Sequence, residues 1–293
     1  MYQDRERLDA LMAAEIEVFR AARGASLAEF AKAAEHLPDG VPMLWMAKWP
    51  GPWVVCVAEP AGAHFTDLDG IDHVDLCLGD TGAMCGHAPA ASVAALQAQL
   101  AHGSTFMLPT TAAAKAGALL AERFGLPQWQ FTLSATDANR ALIRYARHVT
   151  GRPKILVHDF SYHGTVDETF ATLDADGSVI ARRGNIGAPV PLSQTTAVVP
   201  FNDVPALEAA LATGEIAAVL IEPALTNIGI VLPDAGYLAA VREACTRHGA
   251  ILIHDETHTL CAGPGGYTAE HGLAPDAIVL GKTNGGGIPA AAL

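Results

Sequence analysis

Three runs of consecutive apolar residues constrain the fold of this chain more than any other feature. The runs at 155–157, 217–221 and 251–253 do not alternate between apolar and polar positions. Strands whose two faces are both covered show continuous runs, whereas a half-exposed strand alternates. Helical patterns separate the runs. The sequence therefore predicts an α/β fold in which a mainly parallel sheet is wrapped by helices.

The other predicted elements follow from apolar periodicity. Helices are predicted at 5–23, 90–101, 112–124, 136–149, 203–213 and 234–248, and strands at 128–133, 154–158, 216–222, 251–253 and 277–280. Short alternating segments at 53–58, 64–67 and 73–78 predict a small antiparallel meander. We expect an N-terminal helix, ending at Gly24, and the meander over residues 1–80, and a large domain over residues 81–293.

The composition narrows the class of protein. With 51% apolar and 17% charged residues, the 293-residue chain is globular and can bury a large core. Its formal net charge of −13 argues against nucleic acid and acidic membranes as partners. The first seven residues lack an apolar core, and no run approaches the roughly 18 apolar residues of a membrane-spanning helix. We expect no export or membrane signal.

The five cysteines are scattered and never form a C-x-x-C pair. An odd, unpaired set suggests neither a disulfide framework nor a structural zinc site. We therefore expect reduced cysteines in a cytoplasmic protein, and no metal. The cysteines are Cys56, Cys77, Cys85, Cys245 and Cys261.

Two predicted strand ends carry charged groups. The run 251–253 leads into His254-Asp255-Glu256, and the strand 277–280 leads into Gly281-Lys282 and a loop with three glycines. Ligands of open α/β sheets lie at the carboxyl ends of the strands. A single Asp255 and Lys282 pair is more often structural. The alternative is a lysine used for covalent chemistry on a carbonyl group, with an assisting carboxylate.

A third feature lies where strand 128–133 passes into helix 136–149. Ser134, Ala135 and Thr136 stand at this turn. Small and hydroxyl residues there leave backbone N–H groups and the positive end of the helix dipole open to a phosphate. An ordinary N-capping serine would explain the same residues. The turn is neither a P-loop nor a G-x-G-x-x-G motif.

Two more strand ends carry polar or aromatic groups. Strand 154–158 leads to Tyr162-His163-Gly164, and strand 216–222 ends at Glu222-Pro223. Tyr162 and His163 could simply anchor a loop, but an aromatic side chain beside a phosphate site can also stack on a planar ring. A phosphate turn, a stacking ring, an aspartate and a lysine at successive strand ends are specific in combination. Pyridoxal phosphate requires such a set.

These residues resemble the class III (ω-type) aminotransferases of pyridoxal phosphate fold type I, in particular their glutamate-1-semialdehyde aminomutase-like branch. The resemblance covers about residues 37–293. It implies the large domain of that fold and a transaminase acting on a small-molecule amino donor and a keto acid acceptor. It also implies a homodimer with shared active sites. The matching motifs are 133–139, Tyr162-His163-Gly164, Glu222-Pro223, Asp255-Glu256, and Gly281-Lys282 with Gly285-Gly286-Gly287.

The resemblance also implies residue roles. Lys282 forms a Schiff base with pyridoxal 5'-phosphate, and Asp255 pairs with the pyridine nitrogen. Once the substrate amine has displaced it, Lys282 is the base that removes the α-proton. The other cofactor-binding residues are Ser134, Ala135 and Thr136 at the phosphate, Tyr162 stacked on the ring and Asn227 near the phenolic oxygen. The candidate substrate contacts are Trp45, Trp49, His163, Glu222 and His258.

The sequence departs from the family in several places. Met46 stands where the aminomutase branch has an arginine, and Asp80-Thr81 replace a tryptophan. Both changes argue against semialdehyde mutase activity and favour a less anionic or bulkier amine. The segment Thr257-His258-Thr259-Leu260 replaces a valine and a later Gly-Phe-Arg. Leu293 falls where the family's next strand begins. We therefore expect the C-terminal small domain to be absent, which puts the activity of the chain as given in question.

Several alternatives stay open. A 2,1-aminomutase or an amino acid racemase of this fold would use the same Lys282 and Asp255, and a truncated protein would bind pyridoxal phosphate without turnover. A zinc hydrolase is suggested by the likeness of the segment 254–258 to H-E-x-x-H. However, aspartate follows His254 and the segment follows a strand, so His254 and His258 need not share a helical face.

Overall fold

The structure, a computed structural model, describes residues 4–293. The described residues divide into two compact units, with the boundary between Ala98 and Gln99. The first three residues of the predicted domain 1–80, which also begin the charged N-terminal segment, lie outside the described residues. The assignment of 1–80 and 81–293 to separate functional domains stays a prediction.

Two helices begin the N-terminal unit, α1 (Arg5–Ala22) and α2 (Gly24–Ala34). The predicted end of the first helix at Gly24 is confirmed to within two residues, because α1 ends at Ala22. The second helix, which begins at Gly24, was not predicted. The Asp69 carboxylate satisfies N–H groups in the first turn of α2, accepting hydrogen bonds from Ala25 N at 2.6 Å and Ser26 N at 3.0 Å. A contact from outside the segment therefore starts a helix where the local sequence predicts an end.

The predicted meander is present as three antiparallel strands. They are β1 (Val57–Ala61), β2 (His64–Asp67) and β3 (Asp72–Val74), followed by α3 (Ala90–Leu100). The third strand ends four residues earlier than predicted. The Asp75 side chain accepts hydrogen bonds from Cys77 N at 3.0 Å and Gly79 N at 2.8 Å, which turns the chain away from the sheet.

The second unit is built on a five-stranded sheet. The strands of the whole unit, in chain order, are β4 (Phe131–Thr132), β5 (Lys154–His158), β6 (Ala171–Leu173), β7 (Val179–Ala181), β8 (Thr196–Val199), β9 (Ile216–Ile221), β10 (Ile251–Asp255), β11 (Ala277–Val279) and β12 (Ala291–Ala292). The sheet has the order β11-β10-β9-β5-β8, and each neighbouring pair is parallel. The predicted α/β fold with a mainly parallel sheet is confirmed.

Helices cover both faces of this sheet. They are α4 (Thr111–Phe124), α5 (Ala135–Thr150), α6 (Val204–Leu211), α7 (Tyr237–His248) and α8 (Gly266–Glu270). Ile253 of β10 packs in the cluster that contains residues of α5, whereas the neighbouring Leu252 packs in the cluster of α6 and α7. This explains the absence of alternation in the apolar runs. Among residues 4–293, no helix is both long enough and apolar enough to cross a membrane.

Several short strands differ from the prediction. Only Phe131–Thr132 of the predicted strand 128–133 is extended, and it pairs antiparallel with β12 outside the main sheet. The strand β8 and the hairpin of β6 and β7 were not predicted. The sequence does contain a turn-forming residue at this hairpin. Asp174 Oδ1 accepts hydrogen bonds from Asp176 N and Ser178 N.

Two histidines lie in the interior of this unit. His158 Nε2 lies 2.7 Å from the Tyr237 hydroxyl, and His254 Nδ1 lies 2.8 Å from the Thr268 hydroxyl. Burial, and secondarily the nearby His163, lowers the pKa of His158 to about 3. Burial, with a smaller contribution from Arg242, lowers the pKa of His254 to about 3. Both imidazoles are therefore neutral in the folded protein near neutral pH.

We predict that acid destabilises the second unit through these histidines. Between about pH 6.5 and pH 3 the unfolded chain binds protons that the folded histidines do not, so the free energy of unfolding falls with pH. At pH 5 the loss is about 2 kcal/mol per histidine, at about 1.4 kcal/mol per pKa unit. Urea unfolding at about pH 7.5 and pH 5 measures it.

The matched variants are His254→Asn and, at an exposed site on α5, His148→Asn. His254→Asn should lose about 2 kcal/mol less on acidification than the unsubstituted chain, since one titrating group is gone. His148→Asn should lose as much as the unsubstituted chain. The same acid dependence in all three proteins would contradict the prediction.

Candidate active site

A cavity of about 230 Å³ opens at the carboxyl ends of β5, β9, β10 and β11. The topology brings together there several residues that are far apart in the sequence. The lining residues are Leu133, Ser134, Ala135, Thr136, Tyr162, Gly164, Glu222, Asp255, Thr257, His258, Lys282, Pro289 and Ala290. The cavity therefore occupies the position in an α/β sheet where ligands bind.

One wall of the cavity is the N-terminus of α5. Ser134 caps this helix, because its Oγ accepts a hydrogen bond from Asp137 N at 3.2 Å and donates one to Asp137 Oδ2 at 2.7 Å. Ala135 and Thr136 follow in the first turn, where backbone N–H groups have no partner within the helix. These N–H groups and the helix dipole make this wall suited to an anion.

Two glycines allow close contacts around this helix terminus. A Cβ on Gly164 would overlap Thr136 Oγ1, and Gly164 has a φ of +77°. The next residue, Thr165, donates its N–H to the same Thr136 oxygen at 3.1 Å. A Cβ on Gly281 would lie 2.8 Å from Ala135 Cβ. The segments that carry Tyr162 and Lys282 therefore pack tightly against the first turn of α5.

Asp255 is a buried carboxylate that accepts hydrogen bonds on both oxygens. Oδ2 accepts from Asn139 Nδ2 and His163 Nδ1, each at 2.9 Å, and Oδ1 accepts from Thr257 N at 3.1 Å and Thr257 Oγ1 at 2.6 Å. Burial alone would raise the pKa of the Asp255 carboxyl. The hydrogen bond and charge of His163, with Thr257 and Asn139, outweigh burial and lower the pKa below its usual value. The cavity therefore contains a fixed negative charge.

Glu222 holds the loop that carries Tyr162. Its Oε1 accepts a hydrogen bond from Tyr162 N at 2.8 Å, and its Oε2 accepts from Thr226 N at 3.2 Å and Thr226 Oγ1 at 2.7 Å. The Glu222 side chain is buried. It therefore links the segments after β5 and β9 at the cavity wall.

Glu256, beside Asp255, fixes the segment after β10. Its carboxylate accepts hydrogen bonds from Thr259 Oγ1 at 2.8 Å, Tyr267 N at 2.9 Å and Thr268 N at 2.7 Å. The residue is fully buried. The segment between Glu256 and Thr268 is thereby closed into a loop around a buried, hydrogen-bonded carboxyl group.

Lys282 begins a 3-10 turn that follows β11 after Leu280 and Gly281. Its φ is +45°, in the left-handed region that non-glycine residues rarely adopt. Its Nζ lies 3.0 Å from His258 Nε2. The lysine is thus held in an unusual backbone conformation with its amine at the wall of the cavity, an arrangement that occurs most often at functional sites.

Four predicted site residues lie outside the cavity lining. His163 is buried and directed at Asp255, so a substrate contact by His163 does not fit its position. Asn227 is exposed in the chain after β9, and its position near a cofactor oxygen stays a prediction. Trp45 and Trp49 belong to the N-terminal unit, where both are exposed, and their contact with substrate also stays a prediction.

The two histidines of the segment 254–258 serve different partners. His254 Nδ1 lies beside the Thr268 hydroxyl within the core, whereas His258 Nε2 lies beside Lys282 at the cavity. In residues 4–293, no group of three or more His, Cys, Asp or Glu side chains could hold a metal ion. The resemblance of this segment to H-E-x-x-H is therefore not matched by a ligand geometry.

Asn139 was missed by the sequence interpretation, although it binds Asp255. The residue is fully buried in the second turn of α5 and also donates to the His163 carbonyl at 3.1 Å. It lies four residues before Ile143, on the face of α5 that packs in the core. The sequence could have indicated Asn139, because it is a polar residue at a position of an amphipathic helix that faces the core.

In this fold, a helix N-terminus, an aspartate and a lysine meet at the carboxyl edge of the sheet. This combination of fold and site defines a class of protein. The class III aminotransferase model (Aminotransferase class-III) matches residues 45–293. The chain belongs to this family, and the resemblance inferred from its motifs is confirmed.

Individual relatives support the same assignment. The glutamate-1-semialdehyde 2,1-aminomutase of Sorangium cellulosum is 36% identical over 274 residues, which cover 92% of this chain and 62% of that protein. The glutamate-1-semialdehyde aminomutase structure from Pseudomonas aeruginosa is 47% identical, with a TM-score of 0.96, over 99% of this chain and 64% of that one. A lysine-to-alanine variant of the Pseudomonas protein was crystallised with PMP.

An ω-transaminase is similar as well. The structure from Sphaerobacter thermophilus is 33% identical, with a TM-score of 0.87, and the match covers 94% of this chain and 64% of that chain. The chain spans 55% to 63% of the length of the first curated relatives. The similarity therefore covers the described cavity but only part of each relative.

We predict that Gly164→Ala is more destabilising than a matched glycine change. Gly177 has nearly the same φ, +78° against +77°, but open space where a Cβ would lie. Both variants incur backbone strain of about 1 kcal/mol or more, and only Gly164→Ala adds the overlap with Thr136, worth about 1–3 kcal/mol. Urea unfolding of both variants measures the difference. Equal losses would show that the contact with Thr136 relaxes without cost.

Proposed function

We propose that this chain is the cofactor-binding part of a pyridoxal-phosphate-dependent aminotransferase. The observation that carries the proposal is that an amine, Lys282, and a buried ionised carboxylate, Asp255, line one cavity beside a helix N-terminus. Each group matches one part of pyridoxal phosphate: the carbonyl, the ring nitrogen and the phosphate. The PMP complex of the Pseudomonas relative also supports the proposal.

The residues fit the cofactor chemically. The N–H groups of the first turn of α5, with the Thr136 hydroxyl, would hold the phosphate. Gly164 and Gly281, which have no Cβ, allow the segments that carry Tyr162 and Lys282 to pack against this helix terminus. Asp255 would hold a proton on the pyridine nitrogen, because its lowered pKa keeps the carboxylate ionised. Tyr162, fixed by Glu222, would lie against the ring.

When bound, pyridoxal phosphate supplies a carbonyl that condenses with amines and a ring that withdraws electrons from the substrate carbon. The chain supplies the groups that bind, orient and transfer protons. Lys282 Nζ is the amine for covalent attachment, and once free it is the base for the α-proton of the substrate. The network of Asn139, His163 and Thr257 keeps Asp255 charged and in place.

The substrates we propose are a small-molecule amino donor and a keto acid acceptor, handled by a homodimer in the cytoplasm. Exposed apolar side chains at Phe106, Met107 and Leu108 support association, since monomers rarely leave such a run in water. The five free cysteines support a reducing compartment. Light scattering of the purified chain tests the dimer, and a monomer at micromolar concentration would contradict it.

Two substitutions test the cofactor chemistry. Lys282→Ala should abolish covalent attachment of pyridoxal phosphate in the cavity, because no other residue that lines the described cavity supplies an amine. Asp255→Ala should keep attachment but lose most turnover, about 100-fold or more, because the ring nitrogen loses its partner. Borohydride reduction followed by peptide mass spectrometry locates the attached cofactor, and amino-group transfer gives the turnover.

The control for these substitutions is Lys115→Ala, at an exposed lysine on α4. It should leave attachment and turnover unchanged. Attachment that survives in Lys282→Ala would overturn the proposed role of Lys282. Attachment without any turnover in the unsubstituted chain would instead favour a binding protein that does not catalyse.

A 2,1-aminomutase is the second candidate, favoured by the names of the curated relatives. Met46 in place of the arginine expected for that branch favours transamination. The two reactions differ in one requirement: an aminomutase moves the amino group within one molecule and needs no keto acid. We predict that product formation depends on an added keto acid. Sustained turnover without a keto acid, measured by chromatography, would assign the aminomutase reaction.

A further inference from the structure

His258 lies at the cavity wall between two threonines that are fixed by buried carboxylates. Thr257 Oγ1 donates to Asp255 Oδ1 at 2.6 Å, and Thr259 Oγ1 donates to Glu256 Oε2 at 2.8 Å. Both threonines are buried. The backbone on either side of His258 is therefore held in place, and its imidazole has a defined position.

Lys282 is fixed from the opposite side. Gly281 packs against Ala135, and the backbone of Lys282 occupies the left-handed region. The distance of 3.0 Å between Lys282 Nζ and His258 Nε2 is a hydrogen-bond distance. The two nitrogens thus meet because two rigid segments bring them together.

The other titratable side chains that line the cavity are Tyr162, Glu222 and Asp255. Both carboxylates among them already accept hydrogen bonds from other groups. Asp255 accepts from Asn139, His163 and Thr257, and Glu222 accepts from Tyr162 N and Thr226. An imidazole differs from these carboxylates because it can both accept and return a proton near neutral pH.

The chemistry of an amine and a carbonyl requires such a group. As a lysine nitrogen bonds to a carbonyl carbon, the nitrogen must lose a proton, and the carbonyl oxygen must later leave as water. A base within hydrogen-bond reach of the nitrogen accelerates the first transfer, and its conjugate acid accelerates the second.

We propose that His258 is the proton-transfer partner of Lys282, an inference that rests on the proposed attack of Lys282 on a carbonyl. As Nζ bonds to the carbonyl carbon, the carbonyl π pair moves to oxygen and one proton on Nζ passes to His258 Nε2. His258 returns this proton to the oxygen, which becomes a hydroxyl group. The second proton on Nζ then passes by the same route to this hydroxyl as the C=N bond forms and the C–O bond breaks, so that the oxygen leaves as water. The imidazole ends neutral, and atoms and charge balance without another reactant.

The test uses propanal, a small aldehyde that is not the cofactor, with cyanoborohydride to trap its product on lysines of the 293-residue chain. Peptide mass spectrometry gives the rate at Lys282 relative to the exposed Lys115, which serves as an internal standard. His258→Gln keeps a hydrogen-bond acceptor but cannot carry a proton, and His258→Ala removes the side chain. We expect the relative rate at Lys282 to fall about 10-fold or more in both variants.

Imidazole in solution separates proton transfer from a structural role. Added imidazole should restore a large part of the rate at Lys282 in His258→Ala and leave the rate in His258→Gln low, because glutamine occupies the space. Circular dichroism checks that both variants are folded. A rate in folded His258→Gln equal to that of the unsubstituted chain, or no rescue of folded His258→Ala, would overturn the proposal. If either variant is unfolded, His258→Asn replaces it under the same criteria.

Attachment of pyridoxal phosphate to the unsubstituted chain is measured in parallel. Attachment at Lys282 with a propanal rate that does not depend on His258 would refute the role of His258 and leave the proposed function standing. No attachment at Lys282 would count against the proposed function, and the propanal comparison would still decide whether His258 transfers protons for this amine.

Discussion

The buried carboxylate of Asp255 is the interaction on which the site depends. A charge in the interior is stable only when polar groups surround it, and Asp255 obtains them from α5, from the loop after β5 and from its own loop. Satisfying this one charge therefore fixes three segments relative to one another. The same contacts keep the carboxylate ionised. The hydrogen bonds that stabilise the fold here are therefore also the ones that the proposed chemistry requires.

The fold could be predicted where burial alone determines it. The runs 155–157 and 251–253 indicated strands covered on both faces, and β5 and β10 are interior strands of the parallel sheet, on either side of β9. Prediction failed where a distant contact decides the local structure. The start of α2 depends on Asp69, and β4 is extended because it pairs with β12, some 160 residues away.

The residues of the site also divide into those that could be predicted from the sequence and those that could not. Residues at strand ends, such as Asp255 and Lys282, follow from the rule that ligands bind at the carboxyl edge, and both line the cavity. Residues that support them do not follow from this rule. Asn139 and His163 act through Asp255 and do not line the cavity, so only their burial and hydrogen bonds reveal what they do.

The alternation of a strand explains how the end of β10 divides its tasks. Successive side chains of a strand point to opposite faces. Asp255, together with Ile253, faces α5, where Asn139 and the apolar residues of that helix lie. His254 and Glu256 share the other direction, and both bind Thr268. Of these three polar residues, the middle one, Asp255, therefore lies at the cavity. The outer two, His254 and Glu256, hold the loop that carries His258. A shift of register by one residue would exchange these partners and disrupt both sets of contacts.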